Sequence, residues 1–299
     1  MKILIAALLL ISHSALATDF PDNRQQAAEI NSDSGIRGPA YATIVSELQS
    51  LELNYPSIVE VHNYGNTVGG RPLALIKIAK KKSTSTLPAI YIGGSIHGDE
   101  YLNIEDRLPR WFVENAQSPG VIANYLQRGG AIYIAPILNP DGYDRRRREN
   151  NNGVDLNRDF TVRAAQVEGF KQPETTLLIN FLTEDLTRTN RTLGVAMDYH
   201  CCIGALLYPW SFTGVVLPAA DKVRHETIAH IMQRHLGTGV RYGTTPVILG
   251  YSAKGTSKDF YYERFGAAGF TYEGRRGQEN RYLNEHTLMW NAIVEKMLE

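Results

Sequence analysis

Four apolar runs in this sequence end in side chains that an apolar neighbourhood does not tolerate without a task. "LPAIYIGG" opens into "SIHGDE", bringing His97 and Glu100 to one point. "APILNPDG" ends on Asn139 and Asp141, "TLGVAMDYHC" carries Asp198 and His200, and "AAGFTYEG" carries Glu273. Polar and charged groups delivered to strand ends are costly unless they are paired or bind a metal.

His97 and Glu100 stand three residues apart, close enough for one turn to aim both at a single ion. Imidazole and carboxylate together suit Zn²⁺, and two histidines with one glutamate leave a fourth position for water. The second histidine must come from another strand end, and His200 is the best placed. His13 lies within residues 1–17, read below as a signal peptide, and is expected to leave with it. His225, His230 and His235 recur every five residues on a predicted helix, which sets neighbours about 140° apart and keeps them from sharing one ion. The plain alternative is a turn histidine followed by a solvated glutamate at a helix start, where the dipole favours it.

The running order "HGDE", "NPDGY", "GVDLNRDF", "DYHC", "GYSAKGTSKDF", "FTYEG" resembles that of the zinc metallocarboxypeptidases, the carboxypeptidase A-like family. The resemblance spans residues 41 to 299 and includes the opening Tyr41-x-Thr43 and "GNTVGGRPLALIKI". It implies one Zn²⁺ per chain held by His97, Glu100 and His200, with Glu273 as the general base. Arg148 matches the arginine that polarises the scissile carbonyl, although Arg146 and Arg147 stay open in the run "DRRRREN". Asn157 and Arg158 match the pair that grips a substrate's terminal carboxylate, and Tyr251 matches the tyrosine that closes over it. Asp155 resembles the carboxylate that orients the first zinc histidine. The implied partners are peptides with a free C-terminal carboxylate.

The chain departs from the family in places. Asp99 stands where an arginine is usual, and "HCC" replaces a histidine-serine step. No long activation segment precedes the domain, so zymogen control is not expected. Counting on from Tyr251, Lys258 falls at the position that lines the base of the family's specificity pocket. A lysine there implies a preference for C-terminal Glu or Asp; a solvent-facing loop lysine is the alternative. Glu273 likewise has an alternative as an ion-pair partner of Arg275 or Arg276.

These groups need a scaffold. "YATIVSELQSLELNYP" reads as a helix with Pro56 as its stop, and "IVEVHNYG" and "LALIKIA" read as strands joined by a turn. "AIYIGG", "GAIYIAPILNPDG", "TLGVAMDYHC" and "AAGFTYEG" read as further strands. "YLNIEDRLPRWFVENA" reads as a helix with a kink or break at Pro109. "PETTLLINFLTEDL", "AADKVRHETIAHIMQRHL" and "NEHTLMWNAIVEKML" read as helices. Short apolar strands alternating with helices predict a single α/β domain over 41–299, its mixed, mostly parallel twisted sheet covered by helices on both faces. In such sheets functional groups gather at the carboxyl ends of strands.

Residues 1–17, basic "MK", apolar "ILIAALLLI" and then "SHSALA", read as a secretory signal peptide cleaved after Ala17. Residues 18–40 read as an irregular lead-in. The expected product is exported, either periplasmic or secreted, soluble, monomeric and without a membrane span. Lys+Arg and Asp+Glu are equal at 31 each, so charge gives no ground for a nucleic-acid partner. Cys201 and Cys202 are the two cysteines; adjacent, they form either a vicinal bridge or two buried thiols.

Other functions compete with peptide cleavage. A cell-wall (murein) stem-peptide carboxypeptidase or amidase of the same family would use the same pocket lysine. A zinc-dependent deacylase lacks a use for Asn157, Arg158 and Tyr251, and a non-catalytic zinc protein lacks a use for Glu273. A serine hydrolase would need Gly-x-Ser-x-Gly, and "GGSIHG" supplies histidine at its last position.

Overall fold

The computed structural model describes residues 33–81, 87–275 and 282–299. Residues 1–17, read above as a signal peptide, residues 18–32 of the lead-in and Arg276 lie outside the described residues. Residues 33–40 have no regular structure and are tied down: Ser34 N donates to Asp99 O at 3.0 Å and Tyr143 Oη to Pro39 O at 2.8 Å.

Helix α1, Tyr41–Asn54, buries Tyr41, Ile44, Leu48 and Leu51, the three- and four-residue spacing of one helical stripe. Strands β1 (Val59–Asn66) and β2 (Pro72–Ala79) form an antiparallel hairpin. The remaining strands are β3 (Ala89–Gly93), β4 (Ala131–Ala135), β5 (Leu193–Cys201), β6 (Ala205–Tyr208), β7 (Arg241–Thr244) and β8 (Ala268–Gly274). Together they make one eight-stranded sheet in the order β1-β2-β4-β3-β5-β8-β6-β7. Its centre, β4-β3-β5-β8, is parallel throughout, while β1-β2, β2-β4 and β6-β8 are antiparallel. Every residue of β3 and β4 is buried, as expected of strands covered on both faces.

Alternation along β5 sends Val195, Met197 and Tyr199 into one core layer and Ala196 into the other. The first layer is closed by α1, α2 (Leu108–Asn115), α3 (Val121–Gln127), α6 (Ala219–Leu236) and α9 (Tyr282–Leu298). The second is closed by α5 (Pro173–Arg188) and α8 (Ser257–Phe265). The expected α/β architecture is therefore present, with helices on both faces.

Some local expectations need correcting. Residues 101–104 are irregular and 105–107 form a turn, so the helix is broken there; Pro109 is the second residue of helix α2 and does not kink a longer one. In the first turn its missing N–H costs nothing. The turn after β4 opens a short helix, α4 (Pro140–Arg145), whose first residues are capped by Asn139 Oδ1 accepting from Gly142 N at 2.9 Å. Strands β6 and β7 and helices α7 (Thr245–Leu249) and α8 were not anticipated. Cys201 and Cys202 are joined in a vicinal disulfide.

Candidate active site

The site grows from the carboxyl ends of β3, β5 and β8. Register places His200 directly opposite Glu273, so their side chains leave the same face of the sheet. After β3 the chain must turn sharply to bring His97 and Glu100 to the same place. Ser95 takes a left-handed φ of 45° in that turn. Gly98 cannot be replaced without rearrangement, since a Cβ there would meet the Gly142 backbone at 2.0 Å.

Among the described residues, His97, Glu100 and His200 are all buried, and their ligand atoms lie within 4.8 Å of one another. His97 Nδ1 is 3.1 Å from His200 Nδ1. Glu100 Oε1 is 2.9 Å from His97 Nδ1, and Oε2 is 2.8 Å from His200 Nδ1. His97 Nε2 faces Asp155 Oδ1 at 2.9 Å, which assigns the ring proton to Nε2 and turns the Nδ1 lone pair inward. Two imidazole nitrogens and a carboxylate converging this closely repel unless a positive charge sits between them. The N, N, O donor set fits zinc.

Electrostatics agree with a cation-seeking centre. Burial and Arg148 work to lower the His97 pKa, yet Glu100 and Asp155 outweigh them and push it up to about 9. Burial brings His200 down to about 4. Burial works to raise Glu100, and the two imidazoles reverse this, holding its carboxyl well below the usual range. Removal from water and then the Glu100 charge push Glu273 up to about 8.

The arginine run separates by direction. Arg145 Nε donates to Asp141 O at 3.0 Å, and Arg146 Nη1 donates to Ile36 O at 3.0 Å. Arg148 is the one placed at the site, where Nη1 donates to Glu100 Oε1 at 3.0 Å and Nη2 to Asp155 Oδ2 at 2.9 Å. Asp155 therefore touches both the His97 ring and the guanidinium.

Arg148, Asn157, Arg158, Tyr251, Lys258 and Glu273 line the same cavity as the three metal candidates. Asn157 sits in a 3₁₀ turn at Leu156–Arg158, its Oδ1 accepting from Ser257 N at 3.0 Å. Arg158 Nη1 donates to Asn157 O at 2.8 Å. Lys258 lies in the first turn of α8 and is 2% exposed, so it is not a solvent-facing loop lysine. Burial lowers its pKa, against the raising influence of Asp259, Glu273 and Asp198. Burial raises Tyr251, and Glu273 adds to the shift.

The sequence reading missed Thr271 and the apolar wall of Ile203, Leu207 and Leu249, which also line the cavity. Thr271 was findable, since it precedes Glu273 by two on a strand and must share its face. His225 is a structural histidine: it is buried, with Nδ1 2.7 Å from Asp221 O. Ser95, the serine of "GGSIHG", is fully buried.

Comparison with known proteins gives the family. Residues 44–296 match the zinc carboxypeptidase family, and the chain belongs to that family. It is 26% identical over 294 residues to mouse carboxypeptidase A6, covering 85% of this chain and 64% of that protein. It is 25% identical over 256 residues to carboxypeptidase B of Helicoverpa zea, covering 73% of this chain and 58% of that protein. The chain thus spans less than two thirds of the length of these relatives. The carboxypeptidase A structure from Helicoverpa armigera superposes with a TM-score of 0.69 at 20% identity, over 91% of this chain and 77% of that one. That likeness supports the fold.

Proposed function

We propose that the protein is a zinc-dependent metallocarboxypeptidase that removes the C-terminal residue of peptides, with a preference for Glu or Asp at that end. The observation carrying this reading is the convergence of His97, Glu100 and His200 on one point, with Glu273 across from His200. A zinc ion held by these three residues supplies Lewis acidity and brings the pKa of a water molecule near 7.

The chain's own residues do the rest. Glu273 accepts a proton from the attacking water and later delivers it to the leaving amine. Arg148, held by Asp155, aims its guanidinium at the oxygen that becomes negative during attack. Arg158 meets the terminal carboxylate with two parallel donors, and Asn157 adds an amide beside it. Tyr251 covers the bound end and excludes water. Lys258 receives an acidic side chain at the pocket base, where a charge-assisted hydrogen bond is worth roughly 1.5–3 kcal/mol.

We assign one zinc per chain, a monomeric state and an exported, periplasmic or secreted location. Among the described residues no helix is long and apolar enough to cross a membrane.

The test is a peptide digest followed by mass spectrometry, with and without a chelator, on peptides ending in Glu, Leu and Lys. Preferential loss of Glu, stopped by the chelator and restored by zinc, is expected. Equal cleavage of all three ends removes the acidic preference, and indifference to the chelator removes the zinc mechanism. Purified cell-wall stem peptides in the same digest distinguish a murein substrate.

A further inference from the structure

The loop between Arg148 and Asp155 faces solvent at Asn151, Asn152 and Gly153, yet Asn150 within it is 4% exposed. Every polar atom of Asn150 is engaged. Its backbone N donates to Val154 O at 3.0 Å, and its backbone O accepts from Gly153 N at 3.1 Å. Its Oδ1 accepts from Asn152 N at 3.0 Å and from Val154 N at 3.1 Å. Those two amide donors assign the side-chain oxygen, so Nδ2 faces the other way. There it donates to Gln172 Oε1 at 2.9 Å and to Glu174 Oε2 at 3.2 Å. Gln172 immediately precedes α5, and Glu174 lies in its first turn. Asn152 Nδ2 reaches the same Gln172 oxygen at 2.9 Å. The loop is therefore knotted on Asn150, and the knot is tied to the start of α5.

The two ends of this loop carry groups of the site. Asp155 Oδ2 accepts from Arg148 Nε at 3.1 Å and from Nη2 at 2.9 Å, closing the loop at its mouth. Asn139, which also caps α4, donates from Nδ2 to Arg148 O at 3.2 Å and so holds the arginine's backbone. From there Arg148 reaches Glu100, and Asp155 reaches the His97 ring. None of Asn150, Gln172 and Glu174 lines the cavity. Their route to the reacting groups runs through Arg148 and Asp155. A buried amide with all its hydrogen bonds made selects one backbone arrangement, where an unanchored polar loop has many.

We propose that Asn150 is a positioning residue for the reaction. Tied to Gln172 and Glu174, it sets where Arg148 and Asp155 stand relative to each other. It thereby sets the aim of the guanidinium at the reacting carbonyl and the tilt of the His97 imidazole. A misplacement of roughly 1 Å at a remote position costs on the order of 10²-fold in rate, and the contacts of Asn150 with α5 oppose such a shift. This inference rests on Arg148 and Asp155 serving the reaction proposed above.

The test is a pair of double-variant cycles on the full chain. The first reads kcat per zinc-loaded site, on one peptide substrate, for wild type, Asn150→Ala, Arg148→Ala and the double variant. Asn150→Ala is expected to lower kcat about tenfold in the wild-type background. Where Arg148 is already absent it is expected to change kcat little, because residues acting as one unit do not add. The second cycle reads zinc affinity, by competition with a calibrated chelator, for wild type, Asn150→Ala, Asp155→Asn and the double variant. A weakening of about tenfold is expected in wild type, and little further change in the Asp155→Asn background. A merely structural role for Asn150 would give the same loss in every background. Gln172→Met removes the oxygen that both asparagine amides use, and it gives the same reading if alanine at position 150 prevents folding. Additive effects in either cycle, or wild-type values for both Asn150→Ala and Gln172→Met, overturn the inference while leaving Arg148 in its role. Wild-type kcat in Arg148→Ala overturns that role, and this inference with it.

Discussion

Asp155 holds His97 through Oδ1, 2.9 Å from Nε2, while its Oδ2 takes Arg148 Nη2 at 2.9 Å. One carboxylate thereby fixes the tilt of the His97 imidazole and the aim of the Arg148 guanidinium beside it. Burial works to raise the Asp155 pKa, yet His97 and then Arg148 hold it well below the usual carboxylate range.

Asp155→Asn is expected to weaken zinc binding about 10- to 100-fold and to lower kcat, because the neutral amide no longer fixes the ring proton on Nε2. Competition with a calibrated chelator measures the first effect and steady-state kinetics the second. Unchanged zinc affinity would mean that Asp155 supports only Arg148.

Glu273→Gln is expected to lower kcat by about 10²–10⁴-fold while zinc content stays at the wild-type level. Wild-type kcat/KM should also fall on the acid side as Glu273 becomes protonated. Its carboxyl is raised from 4.5 to about 8 by its surroundings, and the positive charge of zinc opposes that rise. The acid limb is therefore expected between those two values and should disappear from the residual activity of the variant. An unchanged acid limb in Glu273→Gln would assign it to another group.

Glu105 gives a test of stability away from the candidate metal site. It is buried and accepts from Leu102 N at 3.1 Å and Ile104 N at 3.0 Å, yet burial outweighs these bonds and raises its pKa from 4.5 to about 8. The folded state thus holds this proton more tightly than the unfolded state. The resulting stability is complete below about pH 4.5 and is lost as pH rises toward 8. Thermal unfolding of wild type should show Tm falling across that window, and Glu105→Gln should flatten the fall. Parallel Tm curves for the two proteins would contradict the assignment.

The long apolar strands and what stands at their ends were legible in the sequence, because β3 and β4 are buried throughout and β5 at every residue but Gly194, and a charged group closing such a run is conspicuous. His97, Glu100, His200 and Glu273 could be picked out on that basis. The arginine run was not resolvable from spacing alone. Arg146 adopts a left-handed backbone with φ 52° at the end of α4, which sends it toward Ile36 while Arg148 turns to Glu100 and Asp155. That reversal is set by packing and has no local sequence mark. Strands β6 and β7 escaped for a related reason: each has four residues, too few for periodicity to stand out. The apolar cavity wall at Leu207 and Leu249 went unseen with them. Residues 101–107 carry a helical pattern, but Glu105 gives its carboxylate to Leu102 N and Ile104 N, stabilising turns in its place.

Zinc titrated into chelator-stripped protein, read as bound metal per chain for wild type and His200→Ala, tests the central claim most directly. The expected result is about one tightly held zinc in wild type, and loss of tight binding when the third of the ligands that zinc requires is removed. Equal tight binding by both proteins, or none by folded wild type, would contradict it.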